Sequence, residues 1–168
     1  MRADKIRLHD HQRSTATKLG LWLDHKTPPV VNLCMAPGTG KIHLLAHCLA
    51  SHLQKRDVYR VAFYCTSKVE AQQMHNTLIS NLTASGMIKR KATEMVTQKL
   101  LLLNPGRDLI NDAQLQVLFE PDSSFAGLIK TLSHHGHTLI VQSQRMLDVG
   151  VDADTLPSTP AAFDPFDL

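Results

Sequence analysis

Met35-Ala36-Pro37-Gly38-Thr39-Gly40-Lys41-Ile42 is the stretch on which the fold turns. It follows a short apolar run, residues 30–35, that comes directly after Pro28 and Pro29 and opens with two valines. That run reads as a buried strand. It precedes a segment in which Ile42, Leu45, Cys48, Leu49 and Leu53 recur at helical spacing, closed by Lys55, Arg56 and Asp57. A glycine-rich turn between a strand and an amphipathic helix has a physical use. Glycines let the backbone curl so that several N–H groups point inward, and the helix N-terminus adds partial positive charge. A lysine at that position reaches terminal phosphates as a point charge. A Gly-Lys pair alone is a weak signal, but here it has both flanking elements that a phosphate cradle needs. The plainer alternative is a connecting turn with an incidental lysine.

Outward from this turn, residues 58–65 are rich in β-branched and aromatic side chains and read as a second strand. Thr66 or Ser67 is placed to cap the next helix, whose Ala71, Met74, Leu78 and Leu82 share one face. Upstream, residues 14–23 read as a helix with Ser14 as its cap, weakened by Gly20. Downstream, the pattern predicts a helix over 93–103, stopped by Asn104-Pro105-Gly106, and a short strand over 114–119. A helix over 123–133 follows, carrying Phe125, Leu128, Ile129 and Leu132, then a strand over 138–141 and a short helix over 144–147. The tail, 152–168, holds three prolines and little periodicity. Strands that alternate with helices predict an α/β domain, mostly a parallel sheet with helices on both faces. No internal boundary is visible, so 1–168 is expected to be one domain.

Composition agrees with a folded chain. Of 168 residues, 43% are hydrophobic and 20% charged, which excludes a disordered polar sequence. The formal charge of +3 permits contact with nucleic acid without arguing for it. Cys34, Cys48 and Cys65 sit in apolar stretches at no zinc spacing, so they read as buried thiols in a reducing compartment. The charged N-terminus is followed by no signal-peptide core, and no run is apolar enough to span a bilayer. The expectation is a cytoplasmic protein with no membrane partner.

The stretch Ala36 to Lys41 resembles motif I of superfamily 2 helicases and the related restriction-enzyme translocases, with Pro37 as the one change. Leu8-His9-Asp10-His11-Gln12 is similar to the family's Leu-Arg-x-Tyr-Gln stretch, which lies a few tens of residues before the motif I lysine. The resemblance implies a RecA-like P-loop fold that binds ATP. Pro37, Gly38, Thr39, Gly40, Lys41 and Ile42 would form the phosphate loop, Lys41 would be the catalytic cation, and Gln12 would read the adenine edge. It also implies nucleic-acid contacts after the second strand, at Thr66 and Ser67, and after the strand over 138–141, at Gln142. Phe163-Asp164-Pro165-Phe166-Asp167-Leu168 resembles the run into the strand that carries the family's Asp-Glu box.

Two departures limit the chemistry. The family has Thr or Ser after the motif I lysine, and its hydroxyl ligates Mg²⁺. Ile42 has no oxygen, so magnesium binding is expected to be impaired while ATP is still held by the backbone and Lys41. The Asp-Glu box falls beyond Leu168, which leads us to expect a truncated RecA-like domain unable to hydrolyse ATP by itself and completed by the remainder of a helicase chain or a partner protein. On that expectation, the strand over 30–35 would expose ladder groups. A non-enzymatic interaction module on a degenerate P-loop scaffold and a kinase-like phosphotransferase remain as alternatives. Other clusters carry less. His134, His135 and His137 read as a polar turn rather than a metal site. Lys89-Arg90-Lys91 reads as a solvated loop or helix start, and Asp148, Asp152 and Asp154 as a solvated loop.

Overall fold

The computed structural model describes residues 10–25, 30–34, 40–55, 59–105, 113–125, 128, 137–142 and 154–155. In chain order, α1 is Asp10–His25, β1 Val30–Cys34, α2 Lys41–Lys55 and β2 Val61–Tyr64. Then come α3 Lys68–Ala84, α4 Lys89–Lys99, β3 Leu100–Leu103, β4 Leu115–Phe119, β5 Thr138–Gln142 and β6 Asp154–Thr155. The strands form one sheet in the order β3-β2-β4-β5-β1-β6, with every pairing parallel. The protein is therefore α/β with a parallel sheet, as the alternation of elements predicts.

Alternation along each strand supplies both faces of the sheet. Val31 and Leu33, Val61 and Phe63, Val117 and Phe119, and Leu139 and Val141 belong to one core. Val30, Ala62, Tyr64, Leu118 and Ile140 belong to the other. A parallel sheet buried on both sides needs apolar residues on both, which is why β1, β2 and β5 read as nearly continuous apolar runs. The first core receives Leu19, Trp22 and Leu23 of α1, Leu44, Leu45, Leu49 and Leu53 of α2, Met74, Leu78 and Leu82 of α3, and Ala92 and Val96 of α4.

Helices are expected on both faces; among the described residues all four long helices pack on one, and most of the helix expected over 123–133 lies outside those residues. Handedness accounts for α2, α3 and α4. The chain moves from β1 to β2 to β3 in one direction across the sheet, and right-handed crossovers in one direction stay on one face. From β4 to β5 it moves the opposite way, and the buried residues described after β4 lie on the opposite face. Phe125, in a short 3-10 turn at Ser123–Phe125, and Leu128 are both fully buried there.

Three expectations are corrected. α1 begins at Asp10, so Ser14 is an exposed residue inside the helix rather than its cap, and Gln12 lies in the first turn. The predicted helix over 93–103 is two elements: α4 ends at Lys99 and Leu100–Leu103 is an edge strand paired with β2. Four consecutive leucines carry neither a helical nor a strand period, so only the offer of a ladder from β2 decides between them. Finally, β1 has ladder partners on both sides. β5 pairs with it along its whole length, and β6 pairs with Val31 and Asn32 on the other side through Asp154 and Thr155, within a stretch whose pattern did not suggest a strand.

The capping expectation at α3 holds for Ser67, whose hydroxyl accepts a hydrogen bond from the Glu70 N–H at 3.3 Å. Glu70 in the first turn adds a favourable charge at the positive end of the helix. Lys89, Arg90 and Lys91 open α4 and are exposed. No helix among the described residues is long and apolar enough to cross a membrane.

Candidate functional site

Lys41 is the first residue of α2, and residues 35–39 join it to the end of β1 through Gly40. The lysine therefore stands at a junction of strand, loop and helix, at the carboxyl edge of the sheet. Pro37, Gly38 and Thr39 lie outside the described residues. Gly40 adopts φ +79°, a left-handed conformation that side chains resist. Its carbonyl accepts hydrogen bonds from the Leu44 N–H at 3.0 Å, which closes the first turn of α2, and from Gln12 Nε2 at 3.4 Å. Gln12 is buried at 3% exposure, so α1 delivers an amide directly against the loop.

A side chain at position 40 would meet this amide. A Cβ built there lies 2.5 Å from Gln12 Nε2. Gly40→Ala must displace a buried amide and adopt an unfavourable φ at once. It is expected to destabilise the fold by at least about 1 kcal/mol, measured as a shift in urea midpoint. An unchanged midpoint would show that the Gly40 turn is not held as described.

The side chain of Lys41 reaches across the sheet edge to Glu120, with Nζ 2.6 Å from Oε1. Glu120 follows the last residue of β4. Its N–H donates to the Val141 carbonyl at 2.8 Å, and its φ is +49°. A non-glycine residue in this region carries a cost of about 1–3 kcal/mol, so neighbouring contacts must hold it there. Sequence reading passed over Glu120. The available signal was its position: an acid directly after an apolar strand of a parallel sheet lies at the edge where open α/β folds bind ligands. That crevice forms where crossovers leave to opposite faces. Here β1 feeds α2 on one face, and Phe125 and Leu128, which follow β4, pack on the other.

The remaining expected residues distribute as follows. Ile42 is 8% exposed and packs in the first core, so its side chain faces the interior and offers no ligand atom. Gln142 ends β5 in register with Cys34 at the end of β1, which places its backbone at the same edge. Thr66 is exposed just after β2, and Ser67 spends its hydroxyl capping α3. Thus Gln12, Gly40, Lys41 and Glu120 are brought into contact, while Thr66 and Ser67 lie along the same sheet edge. Of the histidine cluster, only His137 falls within the described residues, among which no group of metal-ligating side chains occurs.

Cys48 and Cys65 are buried free thiols, as expected. Burial pushes the Cys48 thiol up to about 12 and is the main cause that raises Cys65 to about 11. Glu70 beside Cys65 adds to the rise, while hydrogen bonding at Ser67 opposes it. The folded-state values lie above the ordinary 9.0, so their contribution to stability is complete below pH 9 and is lost as pH rises towards 11 and 12. Iodoacetamide labelling of these two thiols in the folded protein should therefore rise only slightly between pH 7 and pH 9, and sharply once urea exposes them. Rapid labelling at pH 8 without denaturant would contradict their burial.

No protein-family model matches this chain, and comparison with curated proteins returns no match.

Proposed function

We propose that the chain is a nucleotide-binding module with a RecA-like P-loop fold, related to superfamily 2 helicases, in which residues 37–42 hold the phosphates of ATP. The observation that carries this reading is the position of Lys41. It opens a helix at the carboxyl edge of a parallel sheet, and the sequence between β1 and that helix is glycine-rich. The positive end of α2 lies at that edge, which suits a polyphosphate. Gln12 beside Gly40 supports a second contact, because one helix then supplies an amide next to the loop with both donor and acceptor capacity for a base edge. Magnesium fits this site poorly: Ile42, the residue after Lys41, is committed to the core and carries no oxygen. Hydrolysis by this module alone is expected to be weak for that reason. Thr66, Ser67 and Gln142 would face nucleic acid along the same edge, and a further helicase segment or a partner protein would complete the machine. The setting in this reading is the cytoplasm.

A second reading has specific support. An α/β scaffold that has lost nucleotide and serves as an interaction module would also bury Ile42 and satisfy Lys41 internally, as Glu120 does. Titration of ATP by calorimetry, with and without Mg²⁺, on the wild type and on Lys41→Ala separates the two. Binding that survives without Mg²⁺ and collapses in the variant supports the nucleotide module. Equal binding in both proteins refutes it, and no binding in either leaves the scaffold.

A further inference from the structure

We propose that the cleft between α1 and α2 is a second binding site, for a small organic molecule with a phosphate or carboxylate at one end and hydroxyl groups on its body. The cleft is not lined by Gln12, Gly40 or Lys41, so the inference stands apart from the nucleotide-binding reading. Its shape follows from how the two helices lie. Gln12 donates to Gly40, the Cys48 thiol donates to the Ala16 carbonyl at 3.8 Å, and Asp24 lies beside His52. The helices therefore run side by side in the same direction. On α1 the lining stripe runs from Arg13 through Gly20 to Asp24, and on α2 from His47 through Ser51 to Lys55, each at helical spacing. Between them lies about 430 Å³, within the roughly 300–1,000 Å³ of small-molecule sites. The middle stays open because its residues are small: Ala16 and Gly20 on one side, Cys48 and Ser51 on the other. A Cβ at Gly20 would meet no neighbouring group within 4 Å.

The polar groups divide between the two ends. Arg13 and Asp24 are separated by about 16 Å along α1. His47 stands in the same half as Arg13, since its neighbour Cys48 is level with Ala16. That half has no carboxylate among the described lining residues. A guanidinium fork and an imidazole N–H there suit the oxygens of one phosphate or carboxylate. At the other end Lys55 lies one turn beyond His52, and Asp24 Oδ1 is 3.8 Å from His52 Nε2. That separation is too long for a direct hydrogen bond, and an interposed hydroxyl group can bond to both atoms. His52 is held in place for such a contact: it is 4% exposed, and its ring packs edge-on against Tyr59 with centroids 5.1 Å apart. Thr17 and Ser51 offer hydroxyls between the two ends. The charge pattern thus gives the ligand a direction, acid towards Arg13 and hydroxyls towards Asp24.

The experiment is a titration of isotope-labelled protein followed through its backbone amide NMR signals. The probes are ribose phosphate and gluconate, with ribose and inorganic phosphate as controls for the body alone and the anion alone. At least one anionic sugar is expected to give saturable shifts centred on Thr17, Gly20 and Ser51, with both controls at least about tenfold weaker. Arg13→Gln should weaken that binding by about tenfold or more, because a charge-assisted contact is lost. Gly20→Leu fills the middle of the cleft and should abolish binding while the urea midpoint stays equal or rises, since leucine is the better helix former. Ser51→Leu blocks from the other helix and serves if the first variant fails to fold. Lys41→Ala should bind these probes as the wild type does, which separates this site from the phosphate site proposed above. Binding that both cleft-filling variants retain overturns the proposal. So do equal binding of ribose, shifts confined to Gly40 and Lys41, and the absence of saturable shifts with both anionic sugars.

Discussion

Lys41→Ala is expected to weaken ATP binding by roughly 30- to 1000-fold, corresponding to about 2–4 kcal/mol for truncating one partner of a desolvated charged contact. Two effects add. The variant loses the only side-chain cation that the described geometry places at the loop–helix junction, and it leaves Glu120 negative with no ammonium beside it. The site then presents a carboxylate to an anion. The same substitution should change stability little. Glu120 is 29% exposed, so water can take over part of the lysine's role and keep the loss below the roughly 3–5 kcal/mol of breaking a fully buried pair. The informative outcome is this separation: binding lost, urea midpoint nearly kept. A variant that binds ATP within about twofold of the wild type would remove Lys41 from the phosphate site. A variant that unfolds would show the ion pair to be a structural element rather than a part of the site.

Phe63→Ala should have the largest effect on stability, a loss of about 3–5 kcal/mol. Phe63 is fully buried in β2, which lies between β3 and β4, and its ring packs on Phe119 of β4 with centroids 5.3 Å apart and planes tilted by 35°. Both rings point into the core that receives all four long helices, so a cavity there loosens sheet and helices together. Domains of this size are stable by only about 5–15 kcal/mol, so the loss would consume a large part of the total. Trp22 is the one tryptophan and is buried at 6% exposure in the same core, which makes its fluorescence a direct reporter of urea unfolding. A double-mutant cycle with Phe119→Ala should return a coupling of about 0.5–1.5 kcal/mol for the ring pair. A cost below about 1 kcal/mol for Phe63→Ala would mean that β2 is not packed as described.

Some of the molecule is legible in the order of residues alone. The valines and leucine of β1 between a proline pair and a glycine turn, the helical spacing of Ile42 through Leu53, and the face shared by Met74, Leu78 and Leu82 are local patterns. Each is decided within a few turns of chain, and each matches the structure in kind, with ends shifted by a few residues. The junction that bears Lys41 was legible for the same reason: the strand, the glycine-rich residues and the helix follow one another along the chain. Ser67 could be read as a cap because its partner, the Glu70 N–H, is only three positions away.

What the sequence determined by itself, then, is the α/β class, the lysine at the head of a helix and the buried state of Cys48 and Cys65, since apolar periodicity and turn chemistry act over short distances. Tertiary structure alone decided that Leu100–Leu103 extends as an edge strand, that β1 gains ladder partners on both sides, that α1–α4 share one face, and that Glu120 meets Lys41. These depend on which strands become neighbours and on the hand of the crossovers, and no local pattern encodes either. A carboxylate and an ammonium far apart along the chain meet only once β5 has been laid between β4 and β1.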